Sequence, residues 1–178
     1  MPFSSFRINA LVKCALIAGL YTVLSLAIGE FSFGMVQLRI GESLCMLAVF
    51  SPVAVAGAAL GCLLTNLFGT FMGLNILGMW DVLFGTLATL TAAYLTYGLR
   101  KFTVKDIPVL SVLPPVLINA AVIGAELMFA ITGGVNMPVF LLNALYVGLG
   151  QALACGVLGI PLVMAIKKTG LEKKLFPG

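Results

Sequence analysis

Apolar runs separated by short polar or glycine-rich breaks fill this chain from residue 11 to residue 166. A hydrocarbon core of about 30 Å takes about 20 helical residues to cross, and the runs predict spanning helices at about residues 11–29, 53–68, 80–99, 112–132 and 139–166. The breaks are clear. A loop with Gly69, Gly73, Asn75 and Gly78 follows the second of these runs, Arg100-Lys101 end the third, Gly133-Gly134 the fourth and Lys167-Lys168 the last. Residues 36–51 are ambiguous: they hold Arg39 and Glu42 and end at Ser51-Pro52, so they read as a short span or as the start of a kinked helix.

Charge resolves the ambiguity. With residues 36–51 as a separate span, the chain crosses six times, and the basic residues at 7, 13, 100, 101, 105, 167, 168, 173 and 174 share one face, with only Arg39 opposite. Cytoplasmic loops carry the excess of Lys and Arg, so the expectation is an all-α membrane protein: one bundle of six transmembrane helices, both termini cytoplasmic. The second span is short, sixteen helical residues reaching about 24 Å. No repeat and no linker divides residues 1–178, which read as a single domain.

Composition agrees: 61% of the residues are hydrophobic and 9% charged, against about 25% charged in a soluble domain. The net charge of +4 fits loops lying against anionic lipid and not nucleic acid. Arg7 and Lys13 ahead of an apolar run resemble a signal peptide, but further spans follow and the run is expected to be retained. Cys14, Cys45, Cys62 and Cys155 stand singly in apolar stretches and read as packing residues; histidine is absent. No metal and no cofactor is expected.

The polar residues inside the spans are the candidate chemistry, since a charge in lipid costs at least about 2.5–3.5 kcal/mol. In the six-span threading Arg39 and Glu42, three residues apart, share a helix face at the outer end of span two. Asn66, Trp80, Asp81, Glu126 and Asn143 fall at the same level, while Asn119 and Gln151 lie deeper. Asn119 precedes Glu126 by about 700° of helix, so both point one way, floor and rim of a single pocket. Excess acid suits a flat ligand with a cationic or N–H-rich edge, and Trp80, Phe84 and Tyr146 offer ring faces. Each residue also has a plainer role: Arg39 with Glu42 as an internal pair, Asp81 at a helix start, the asparagines as interhelical glue.

Two small-residue faces, Ala15-x-x-x-Gly19 and Gly57-x-x-x-Gly61, allow close helix approach. The first sits on a span nearly devoid of polar side chains and is free to dock a partner. No G-x-x-x-x-G-K-[ST] sequence occurs, so the chain does not bind ATP as a P-loop does.

Ala15-Leu-Ile-Ala-Gly19-Leu-Tyr resembles the first helix of substrate-binding S components of energy-coupling factor (ECF) vitamin transporters. Phe33-Gly-Met-Val-Gln-Leu-Arg-Ile-Gly-Glu42, Asp81-Val-Leu-Phe-Gly-Thr-Leu-Ala-Thr89, Leu113-Pro-Pro-Val-Leu-Ile-Asn119 and Val147-Gly-Leu-Gly-Gln-Ala152 are similar to one branch, the queuosine-precursor transporter (QueT) family. The resemblance implies a six-helix bundle that captures a 7-deazaguanine, such as the aminomethyl form, outside a prokaryotic cell membrane. It implies partners too: a membrane T component and two cytoplasmic ATPases, docked through Ala15 and Gly19. Gln151 stands where the resemblance leads one to expect an acid. The competing readings are an S component for another vitamin or nucleobase, an intramembrane enzyme built on Asp81 and Glu126, and a purely structural subunit.

Overall fold

Helices form wherever an apolar run goes unbroken, and each break is made by residues suited to ending or starting one. The computed structural model describes residues 2–34 and 37–176. Val36, where the second span is expected to begin, and the side chain of Arg7 lie outside the described residues. The elements are α1 (Pro2–Ala27), a short α2 (Gly29–Ser32), a 3₁₀ helix (Ile40–Val49), α3 (Pro52–Phe71), α4 (Met79–Gly98) and α5 (Leu113–Thr132). A last crossing follows, made of α6 (Met137–Gln151), a π-helical segment (Ala152–Gly159) and α7 (Ile160–Lys168), with α8 (Leu171–Leu175) after it.

Five helices are long and apolar enough to cross a membrane: Ile8–Leu26, Pro52–Phe71, Met79–Lys101, Val109–Thr132 and Met137–Lys168. Their ends follow from sequence. Ser51 Oγ accepts from Val53 N–H at 3.2 Å ahead of Pro52, and Asn136 Oδ1 accepts from Val139 N–H at 3.2 Å ahead of Pro138. Each satisfies an orphan donor of a first turn in which proline gives up nothing. α5 stops at Gly133, whose φ of 66° is left-handed, the usual glycine stop.

The close contacts fix the directions. A Cβ at Gly57 would meet Ile17 and the Cys14 carbonyl; one at Gly61 would meet Tyr21 and the Ala18 carbonyl. Contact advances the same way along both helices, so α1 and α3 run parallel, and Gly57-x-x-x-Gly61 is an internal seam. α3 and α4 run antiparallel, Asn66 bonding to Asp81 and Cys62 to Thr89. α5 and α6 do too, with Gly124 on Ala144 and Gly148 on Ala120.

Two parallel neighbours need a return path, and the 3₁₀ helix lies on it. It starts beside Arg39, which reaches Asp81 at the head of α4, and ends at Phe50, whose ring stacks on Phe176 at 5.6 Å near the other end. Gly41 to Ala48 are all buried, against α1, α3, α4 and the π segment. This corrects the expected sixteen-residue helix: ten residues are helical, and they are wound more tightly. An α-helix of ten residues spans about 15 Å, a 3₁₀ helix about 20 Å, so the tighter winding gains reach where the bundle shields the backbone from lipid. Small residues on the π segment admit it. A Cβ at Gly159 would collide with Met46.

Candidate functional site

The connections α3–α4 and α5–α6 meet at the end of the bundle away from Arg100, Lys101, Lys167 and Lys168. There a cavity of about 650 Å³ opens between α4 and α5. One wall is the α5 stripe Val122, Ala125, Glu126 and Phe129 with Gly133 just beyond it; the other is Leu77 from the loop before α4, with Trp80 and Phe84 of α4. Trp80 and Phe84, one helical turn apart, stack with centroids 5.7 Å apart. Glu126 is the one ionisable residue among those lining it, and neither carboxylate oxygen has a hydrogen-bond partner among the described residues. A cavity of this size with apolar walls and a single polar anchor is suited to a small organic ligand.

The other predicted acids are engaged within the protein. Asp81 Oδ2 receives Arg39 Nη2 at 2.7 Å and Asn75 Nδ2 at 3.0 Å, while the Asp81 carbonyl receives Asn66 Nδ2 at 2.7 Å. Arg39 also donates from Nε to the Ser32 carbonyl at 3.0 Å and lies over the Phe33 ring. This corrects the shared helix face of Arg39 and Glu42: Arg39 is extended backbone ahead of the helix, so its side chain turns to α4. The Glu42 carboxyl sits one layer further in. Its Oε1 accepts from Tyr21 Oη at 2.5 Å and Thr89 Oγ1 at 3.1 Å, and its Oε2 from the Cys45 thiol at 3.1 Å. Two helices, α1 and α4, are thereby tied to the 3₁₀ segment.

The amides form a third group, along the α5–α6 contact. Asn119 continues the cavity stripe one turn inward, with Nδ2 unpartnered. Asn143 is 1% exposed, and both of its amide atoms lack a partner among the described residues. Gln151 is buried on the same face of α6 and receives only a long contact from Cys155, 3.9 Å. Tyr146 is half-buried and is not part of the cavity lining. Thus Trp80 and Glu126 line the cavity and Asn119 falls beneath it, whereas Arg39, Glu42, Asn66 and Asp81 brace the helices around it. Ala15 and Gly19 are exposed on α1, and a Cβ at Gly19 would meet nothing within 4 Å.

Sequence reasoning passed over Tyr21, Asn75 and Thr89. Tyr21 carried a usable signal, since a buried tyrosine hydroxyl in an apolar run needs an acceptor. Among the described residues no cluster of three or more His, Cys, Asp or Glu side chains is placed to hold a metal, and the cysteines are free thiols.

No curated protein and no solved structure matches the chain. The model of one family, described as QueT transporter, does match, over residues 11–168. An all-helical bundle with five membrane-length helices, and a family match across nearly all of them, make this chain a member of the QueT transporter family.

Proposed function

We propose that the chain is the substrate-binding subunit of an ECF transporter, capturing a 7-deazaguanine queuosine precursor outside a prokaryotic cell for ATP-driven uptake. The observation that carries this reading is the cavity, with its stacked Trp80–Phe84 wall facing an unpartnered Glu126 carboxylate. A 7-deazaguanine has a flat ring for the aromatic wall and an N–H-rich or cationic edge for the acid. Asn119, one turn deeper, is placed to read a second edge. The role is transport and not catalysis.

Six crossings with both ends cytoplasmic are the topology we assign. The parallel run of α1 and α3 supports it, because the intervening chain must return across the bundle. The cavity then opens outward and the basic end faces inward. The open Ala15–Gly19 face is assigned to the membrane T component, with two cytoplasmic ATPases below it. Small residues on an uncovered helix face let a partner helix approach closely.

Trp80 is the only tryptophan, so all tryptophan fluorescence comes from a residue of the cavity wall. Titration of the detergent-solubilised protein with 7-aminomethyl-7-deazaguanine should quench it saturably, whereas thiamine, riboflavin and biotin should not. Saturable quenching by one of those three and none by the deazaguanine reassigns the substrate.

A further inference from the structure

The connection between α3 and α4 holds one buried polar side chain, Asn75, which is 7% exposed. Both ends of its amide are used. Oδ1 accepts from Leu77 N–H at 3.1 Å, and Nδ2 donates to Asp81 Oδ2 at 3.0 Å, the oxygen that also receives Arg39. Leu77 and Trp80, on either side of Gly78, both line the cavity. α4 begins with no side-chain cap, because Gly78 occupies the cap position, at a φ of 60°. The turn that carries Trp80 is therefore steadied from outside the helix, through Asp81 beside it and through the loop bond to Leu77.

We infer that Asn75 is a positioning residue for ligand capture, setting two residues of the cavity wall, Leu77 and Trp80, through one amide. The inference rests on reading the cavity as the capture site. A wall held in its bound geometry before the ligand arrives spares the cost of ordering it at that moment. Arg39 neutralises Asp81, and its other polar and ring partners among the described residues are Ser32, Cys62 and Phe33, none of which lines the cavity; Asn75 joins the ion pair to the loop that carries Leu77.

The test is an exchange of side chains. Asn75→Asp keeps an acceptor for Leu77 N–H but sets a second carboxylate against Asp81. Adding Asp81→Asn restores a donor–acceptor pair across the same gap, with the same total charge beside Arg39. Emission of Trp80 without ligand, and its quenching by 7-aminomethyl-7-deazaguanine, are the readouts. Asn75→Asp should shift the emission and weaken binding about tenfold, mainly through faster release, and the double variant should recover both. If Asn75→Asp does not fold, Asn75→Ser, too short to reach Asp81, takes its place with the same expected losses. Normal affinity and unshifted emission in the single variant, or a loss that the exchange does not repair, overturns the inference. Glu126→Gln, run alongside, separates the two ideas. If it loses binding while the Asn75 variants keep it, the cavity stands and the positioning role falls; if it too binds normally, both fall.

Discussion

Glu42 is buried and Glu126 half-buried at the cavity, and replacing each by glutamine should leave opposite signatures. Glu42 accepts three hydrogen bonds from side chains on α1, α4 and its own segment, so Glu42→Gln removes one acceptor oxygen and sets an amide N–H against a donor. Leaving a buried donor unsatisfied costs about 1–3 kcal/mol, so a net loss of about 2 kcal/mol is expected, a fall in Tm of about 4–8 °C in a chain of this size. Glu126 makes no such bond. Glu126→Gln should leave Tm unchanged or slightly higher, while weakening deazaguanine binding at least tenfold, about 1.4 kcal/mol. Thermal unfolding in detergent and Trp80 fluorescence titration, run on both variants, give the four numbers. A Glu126→Gln protein that loses as much stability as Glu42→Gln and binds normally would refute the division of roles.

Phe84→Ala removes the ring stacked on Trp80 and should red-shift Trp80 emission while weakening binding several-fold, both read in one fluorescence titration. Gly61→Ala places a methyl carbon 2.6 Å from Tyr21 Cβ, so α1 and α3 must part; overpacking of this kind costs about 1–3 kcal/mol, measurable as a lower Tm. Ala15→Trp fills the open face of α1 and should spare binding while blocking uptake by cells expressing the full transporter. Single cysteines at positions 135 and 103, in a chain with the native thiols replaced, should react with an impermeant reagent from outside and only after lysis, respectively.

The long helices were legible because their apolar runs are uninterrupted and their ends carry proline, glycine or paired cations. Residues 40–49 stood out as a separate element only indirectly, from the one-sided placement of Lys and Arg that separating them allows. Its 3₁₀ winding was not, since no local residue pattern demands it and the cause is the distance to be covered inside the bundle. Trp80 and Glu126 could be picked out as a lone tryptophan at a helix start and an acid with no local partner. Arg39 misled for a physical reason. Three-residue spacing suggested Glu42, but the partner is Asp81, 42 positions away, and the choice is made by the extended backbone at Arg39. The partners of Glu42 were hidden in the same way, since Tyr21 and Thr89 are distant from it in sequence.

The threading of the 3₁₀ segment has a consequence for biosynthesis. Ten residues flanked by Arg39 and containing Glu42 are too short and too polar to leave the translocon into lipid unaided. Their shelter includes α3 and the Ala152–Gly159 stretch, which the ribosome delivers more than a hundred residues later. Nascent chains halted before Ala152 should therefore hold this stretch uncovered and be cleared by membrane quality-control proteases, while chains released after Lys168 escape them.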